Sequence, residues 1–342
     1  MITEGKVKLK VETKKIVSKE MEVFYNPVMK FNRDISVLLL SCLESEFRIG
    51  LPLSGSGIRA IRFLLELNKK VVKEISINDY SKNAIKNIKS NLRLNKINPG
   101  KKIIISNKDA NLFMLESCGF DYIDIDPFGS PNMFLDSAVK RISRKGILAI
   151  TATDTAPLCG TYPKACLRKY WAKPLLNENM HEIGLRILIR KVQLIGAQFD
   201  KALIPIFSYS KDHYLRVFFR AVKGKQEVDK IMKQHDYFNE AGPMWLGNLE
   251  DSKLAAKMSK KNDIEENQKF LNVISSESKV NVVGFYDIHA ISKRNKTKQL
   301  PKIEDIIKKL KAKGNKASRT HFSGTGIRSN AKLNQIVNLL RF

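Results

Sequence analysis

Hydrophobic and polar positions repeat with two different periods along this chain, and the switches between them outline an architecture. Residues 1–20 set Val, Leu and Ile between Lys, Glu and Thr, which predicts a short hairpin or paired strands ahead of Tyr25-Asn26-Pro27. Residues 34–46 change to helical spacing, with Ile35, Leu38, Leu39, Cys42 and Leu43 on one face and Asp34 as the candidate cap. Strands are then predicted at 47–53, 71–78, 102–106, 122–125 and 146–151, with helices at 58–68, 81–95 and about 177–195. Strand, glycine turn, helix, strand, acid, helix is the order of a doubly wound α/β sheet with right-handed crossovers. Two more strands, at 202–209 and 214–221, lie too close together for a crossover helix and should pair as an antiparallel hairpin. The expected fold is therefore a Rossmann-like α/β sheet, mostly parallel and closed by that hairpin.

After Lys223-Gly224-Lys225 the chain becomes richer in Lys and Asn and loses the turns that suit phosphates. This divides it into a first domain, 1–222, and a smaller α+β carboxyl-terminal domain, 223–342, with a helix at 302–313 whose Ile303, Ile306, Ile307 and Leu310 repeat at helical spacing. The 342 residues are 43% apolar, enough for full cores, and no apolar run approaches the ~18–20 residues that span a bilayer. Four cysteines, none in a Cys-x-x-Cys pair, and an amino terminus without an apolar core predict a soluble cytoplasmic protein, free of the membrane and with no obligate protein partner. The net charge of +27 fits either a solvated lysine-rich surface or a polyanionic partner. Its distribution favours the partner: between Lys293 and Arg319 there are 11 basic residues and only Glu304 and Asp305 as acids, a density suited to tracking phosphates.

Three segments carry chemistry. Ser54-Gly55-Ser56-Gly57-Ile58-Arg59 joins a strand to a helix, where Gly55 and Gly57 let the backbone approach a ligand. Asp79 ends the next strand, where an acid can accept from both hydroxyls of a ribose. Together they point to a nucleoside-containing cofactor and leave NAD and S-adenosylmethionine (SAM) both open. Asp124-Ile125-Asp126-Pro127-Phe128-Gly129-Ser130-Pro131 separates them, because an acid, a proline and an aromatic at that strand end suit methyl transfer to an amine. The lone pair of an exocyclic amine is delocalised into its ring. A carboxylate accepting its N–H bonds restores tetrahedral geometry and aims the lone pair at a sulfonium methyl. Pro127 fixes the backbone there, and Phe128 offers a stacking face to an extruded base. Asp124 shares the strand face with Asp126 but lies deeper, so Asp126 is the expected acceptor. The run Phe24–Asp34, aromatic and basic ahead of a helix, reads either as a base-stacking lid or as a hydrophobic plug.

Phe24–Asp34, Ser56–Phe63 and Asp126–Pro131, with Thr153–Lys169, His181–Ile189, Asp212–Val217, Ala241–Gly247 and Ser318–Ala331, closely resemble the tRNA guanine-26 N2-dimethyltransferase family across nearly the whole chain. The resemblance implies the class I SAM-dependent methyltransferase fold, tRNA as partner and two successive methyl transfers to N2 of one guanosine. It further implies that Arg33 and Arg59 contact the methionine carboxylate of SAM or brace its loop. Asp79 would hold the ribose, and Asp109 with the Ala110 backbone would read the adenine edge. Asp126 would hold the guanine amine, with Phe128 and Phe24 sandwiching the base. Two departures stand out. Leu51-Pro52-Leu53 occupies the start of the glycine turn, where relatives often carry an acid that orders it, so weaker SAM affinity is expected. Residues 236–242 contain no cysteine where many relatives have a four-cysteine zinc site, so no metal and a second domain held by its core alone are expected. His181 reads as a capping or packed residue, Trp245 as a domain-interface anchor rather than a base stacker, and Cys159 and Cys166 as incidental to an RNA-contacting loop. Residues 318–322 read as a strand flanked by phosphate contacts. The alternatives are an amino-directed methyltransferase for another RNA or for DNA adenine, a nicotinamide dehydrogenase, and a non-catalytic tRNA-binding scaffold.

Overall fold

A computed structural model of the chain describes residues 1–10, 25–296 and 300–340. It contains two compact units: Met1–Thr153 with Leu194–Ile204 and Phe218–Val228, and Asp154–Gln193 with Pro205–Val217 and Asp229–Phe342. Strands β1 (Ile2–Glu4) and β2 (Val7–Leu9) pair antiparallel, as the alternation at the amino end predicts. Residues 11–20 of that expected segment lie outside the described residues. Helix α1 (Lys30–Leu43) starts earlier than its periodicity suggests, and Asp34 is not its cap. Asn26 accepts from Val28 N at 3.0 Å and opens a 3-10 turn at Pro27–Met29, which launches the helix upstream. Asp34 is thereby carried into the helix interior, where Oδ1 accepts from Arg62 Nη1 at 2.5 Å.

The elements that follow are β3 (Phe47–Leu51), α2 (Ile58–Glu66), β4 (Val72–Asn78), α3 (Lys82–Leu94), β5 (Ile103–Ser106), α4 (Ala110–Leu115), β6 (Phe120–Ile125), α5 (Leu135–Arg141) and β7 (Ile142–Ala152). After α6 (Thr155–Leu158), α7 (Pro163–Tyr170) and α8 (Met180–Ala197) come β8 (Lys201–Lys211), β9 (Tyr214–Lys223) and α9 (Lys225–Met232). The strands form one sheet in the order β5-β4-β3-β6-β7-β9-β8. Neighbours from β5 to β7 run parallel. Residues 212–213 alone join β8 to β9, a connection that only antiparallel neighbours can make. The sheet is thus mostly parallel and closed by a hairpin. Ile75, Ile77, Ile123, Ile125, Leu148 and Ile150 are fully buried, as strands covered on both faces require.

Beneath α1 and α2 lies a charged core. Glu4 on β1 accepts from Arg33 Nε at 2.7 Å and Nη2 at 2.5 Å, from Arg62 Nη1 at 3.1 Å and from the Tyr25 hydroxyl at 3.0 Å. Burial alone would raise the Glu4 carboxyl, but the guanidiniums of Arg33 and Arg62 and the Tyr25 hydroxyl outweigh it and hold Glu4 below its ordinary value.

The second unit contains the hairpin β10 (His235–Phe238) and β11 (Ala241–Trp245), and a three-stranded sheet ordered β12 (Tyr286–Asp287), β14 (Gly326–Ser329), β13 (Ala317–Arg319). Helices α10 (Ser252–Lys261), α11 (Glu265–Glu277), α12 (Ile288–Asn295), α13 (Ile303–Ala312) and α14 (Leu333–Leu339) also belong to it. Ile306 and Leu310 of α13 pack with Ile291, Ile327, Ile336 and Leu340, as the helical repeat predicts. The unit also holds a buried ion network that its sequence does not announce. Arg328 donates to Glu182 Oε2 at 2.7 Å and to Glu277 Oε1 at 2.8 Å. Glu277 in turn pairs with His321 Nδ1 at 2.7 Å and accepts from the Thr320 hydroxyl at 2.5 Å. These bonds take Thr320 and His321 out of β13, which ends at Arg319, short of the strand expected over 318–322. None of the described helices is long and apolar enough to cross a membrane.

Losing the Glu4 charge leaves the buried Arg33 guanidinium without its carboxylate, while Arg62 keeps Asp34 and Glu66, so Glu4→Gln should cost about 3–5 kcal/mol at pH 7 in urea unfolding. The folded-state value of this carboxyl is depressed, so its contribution is complete above the unfolded value near 4.5 and fades as pH falls through the folded one. The gap between wild type and variant should therefore close below about pH 4. A constant gap down to pH 3 would mean that packing, not charge, makes the difference.

Candidate active site

The carboxyl ends of β3 and β6 border a cleft of about 530 Å³, lined by Tyr25, Leu51, Gly55, Arg59, Asp124 and Asp126 among others. Its frame is a set of ties between strand ends. Asn78, fully buried at the end of β4, donates from Nδ2 to Pro52 O at 3.0 Å and to Lys108 O at 2.9 Å. Its Oδ1 accepts from Lys108 N at 3.0 Å, so one amide joins the segments that leave β3, β4 and β5. Next to it, Asp79 accepts from Gly55 N at 2.8 Å through Oδ2 and from Ser81 N at 2.9 Å through Oδ1. The glycine turn is thus ordered by an acid from the neighbouring strand, although Leu51 stands where relatives often place one.

The turn needs its glycines. Gly57 has φ 77°, and a Cβ there would come within 3.0 Å of Ile88 in α3. This conformation starts α2 in the direction that delivers Arg59, one residue into the helix, to the end of β6. Arg59 Nη1 donates to Ser36 Oγ at 2.9 Å and lies 3.3 Å from Asp124 Oδ2, and Nη2 pairs with Asp126 Oδ2. Asp124 is 2% exposed and also accepts from the Tyr122 hydroxyl at 2.5 Å. The side chain of Asp126 is 19% exposed, and among the described residues no protein group bonds its Oδ1. Sequence alternation places Asp124 deeper than Asp126, and the two exposures agree. The loop that follows is strapped down: Gly129 N donates to Thr153 Oγ1 at 2.6 Å, and Thr153 N donates to Gly129 O at 3.0 Å.

Of the remaining expected residues, Phe128 is 44% exposed beside this loop. Phe24 lies outside the described residues, whereas Tyr25 lines the cleft with its hydroxyl on Glu4, where burial and then the Glu4 charge push it up to about 12. Arg33 also lines the cleft, but Glu4 occupies its fork, a contact that braces the wall. Asp109 caps α4, accepting from Asn111 N at 2.8 Å and Leu112 N at 3.1 Å, and the adjacent Ala110 is buried. Gly55, Arg59, Asp124 and Asp126 are gathered at one cleft, with Gly57 in its turn and Asp79 bonded to that turn. Asn78 and Ser36 escaped the sequence reading; the available signal was a polar residue closing a buried apolar strand directly before Asp79. In the second unit, Cys159 Sγ lies 3.5 Å from His181 Nδ1, and burial pushes the thiol up to about 11 and lowers the imidazole. Among the described residues no group of three or more His, Cys, Asp and Glu is placed to hold a metal ion.

A glycine turn, a helix amino terminus and an acid that follows the adjacent strand fit a nucleoside ligand at the carboxyl edge of the sheet. The family model described as N2,N2-dimethylguanosine tRNA methyltransferase matches residues 5–241 and 236–341. The tRNA (guanine(26)-N(2)/guanine(27)-N(2))-dimethyltransferase of Aquifex aeolicus is 40% identical, with 98% of this chain and 94% of that protein covered. The tRNA (guanine(26)-N(2))-dimethyltransferase of Pyrococcus furiosus is 39% identical, with 99% and 98% covered. Among solved structures, Trm1 from Pyrococcus horikoshii in complex with S-adenosyl-L-methionine superposes with a TM-score of 0.90 at 37% identity, covering 100% of this chain and 99% of that one.

Burial sets the order of thiol reactivity. Cys118 is exposed, while Cys42, Cys159 and Cys166 are buried, and burial pushes the Cys166 thiol up to about 12. Iodoacetamide at pH 7.5 should label Cys118 first and leave the other three intact in peptide mapping. Early labelling of Cys159 would mean that His181 activates it.

Proposed function

The chain belongs to the N2,N2-dimethylguanosine tRNA methyltransferase family, and from that premise we propose that it transfers two methyl groups in succession from SAM to the exocyclic N2 of guanosine 26 in tRNA. The observation that carries this reading is Asp126 at the end of β6, held through one oxygen by Arg59 with the other free, at a cleft that also contains the glycine turn.

When bound, SAM supplies a methyl group on a sulfonium sulfur, open to displacement by an amine lone pair. The glycine turn and the start of α2 present backbone N–H groups to the ligand. Asp79 takes ribose hydroxyls: each of its oxygens accepts one backbone bond, and an ionised carboxylate has about four acceptor positions. Asp109 and Ala110 meet the adenine edge, Arg59 and Arg33 brace the methionine end, and Phe128 and Phe24 stack on the extruded guanine. Oδ1 of Asp126 accepts an N2–H, localising the lone pair, and receives the proton released as the N–C bond forms. The monomethylated amine still carries one N–H, so the same contact serves the second transfer. A proton acceptor already sits at the reacting nitrogen, so this route asks nothing of His181.

We further assign SAM and the target base to residues 1–222 and the tRNA body to 223–342, working in the cytoplasm. Lys308, Lys309 and Lys311 on α13, with Lys313 and Lys316 after it, are exposed and free to follow phosphates.

Incubation of unmodified tRNA with the protein and SAM should yield N2,N2-dimethylguanosine in nucleoside mass spectrometry. A chain that binds tRNA but not SAM would be a scaffold instead. Asp126→Asn should lower transfer by about 10²–10⁴-fold, the range for a positioned acid–base group, with SAM and tRNA affinities retained. Near-normal turnover would remove Asp126 from the mechanism. Replacing Lys308, Lys309, Lys311 and Lys313 by Gln should flatten the dependence of log K on log salt by about 0.7–0.9 for each phosphate these lysines neutralise. An unchanged slope would leave these charges with solvation only.

A further inference from the structure

The chain has two tryptophans, and the second unit places them oppositely. Trp245 is 4% exposed, and its Nε1 donates to Asn248 O at 2.9 Å. Trp171 is 47% exposed at the carboxyl end of α7, with φ 57°, a left-handed conformation that costs a residue with a Cβ roughly 1–2 kcal/mol. Lys191 of α8, itself 6% exposed, holds its ammonium 2.9 Å from the Trp171 ring centroid. Its neighbour Arg190 donates from Nη1 to Trp171 O at 3.3 Å and keeps a buried Nε with no hydrogen-bond partner. Burial and then the charge of Arg190 bring the Lys191 ammonium down to about 8, so two cations are held together against their own electrostatics, one on the indole ring and one on the carbonyl of the same residue.

Exposed bases flank Trp171 along the chain. Arg168 and Lys169 lie in the last turn of α7 and Lys173 follows it, with Asp154 3.4 Å from Lys169 and Glu240 3.2 Å from Lys173 as the local acids. Tyr162 at the head of α7 is 61% exposed. A cation fixed against one face of an aromatic leaves the rest of the ring for a planar partner, and the bases at its rim select one that carries negative charge. A nucleobase with its own phosphates meets both demands. An apolar peptide meets only the first.

We propose that Trp171 is a stacking platform for an unpaired nucleobase of the tRNA other than the methylated guanosine, with Arg168 and Lys173 on the flanking phosphates. The inference rests on the reading of this chain as a tRNA-modifying enzyme and adds a contact remote in sequence from the lysines of α13. Trp171 and Trp245 are the only tryptophans, so intrinsic fluorescence reports the contact directly. Titration with an unmodified tRNA transcript should quench the wild-type emission, and Trp171→Phe should lose most of that quench while Trp245→Phe keeps it. Trp171→Ala should raise the Kd for tRNA by roughly 5- to 150-fold with the salt slope and the SAM affinity unchanged, and Trp171→Phe should recover part of the affinity. Arg168→Gln with Lys173→Gln should instead flatten the slope. A quench that survives in Trp171→Phe, or a Trp171→Ala variant that binds tRNA like wild type, overturns the proposal. Quenching by Trp171 together with no methylated nucleoside from the wild-type protein would uphold the platform and defeat the methyl-transfer reading alone.

Discussion

Two carboxylates set side by side repel each other unless a cation lies between them, and Arg59 is that cation. Asp124 lies on β6 and Asp126 directly follows its end, two residues on, and Arg59 contacts both. A lysine could neutralise one of them as a point charge. The planar fork of an arginine can serve two carboxylates through different nitrogens, as Arg59 does here while Ser36 accepts another bond from it. The position of Arg59 follows from the backbone, because the left-handed turn at Gly57 fixes where α2 begins and Arg59 is its second residue. In the proposed reaction, the segment that approaches the nucleoside would thus also orient the acceptor of the target amine, so that cofactor and base would share a single mechanical part.

The same economy appears one strand over. Asn78 and Asp79 are adjacent, and each of their side chains ties loops from different strands. An amide suits the buried position because it both donates and accepts without charge. A carboxylate suits the rim because its surplus lone pairs stay available after it has ordered the turn. Asp79 therefore supplies the ordering that Leu51 does not, and the substitution of an apolar residue at the start of the turn leaves the turn bonded at Gly55.

What the sequence made legible was local. Apolar runs bounded by glycine and acid located every strand of the parallel sheet, because strands buried on both faces have few alternatives in composition. Asp126 was legible because a strand end followed by proline and an aromatic is a short-range pattern. Asp34 was misread as a cap for the complementary reason: its partner, Arg62, is 28 residues away, and the true start of the helix was set by Asn26 and Pro27. Glu4 was invisible as a structural acid, since its partners Arg33 and Arg62 lie on two different helices. No periodicity encodes a contact between elements; only the folded chain supplies it.

The second unit extends this point. An apolar core alone was expected there, yet Glu182 and Arg328, 146 residues apart, meet in a bond of 2.7 Å inside it. Arg328 donates as well to Glu277, whose carboxyl burial would raise but which the charges of His321 and Arg328 hold well below its ordinary value. Buried pairs of this kind gain little net stability, because desolvation consumes most of the attraction, while removing one partner costs several kcal/mol. Their effect is to penalise misalignment. A metal ion fixes the relative placement of its ligands in the same manner, by making every other arrangement expensive. In this unit the strand β14, the end of α11 and the start of α8 are held in register by arginine and carboxylate, with alignment enforced through charge that no other packing could satisfy.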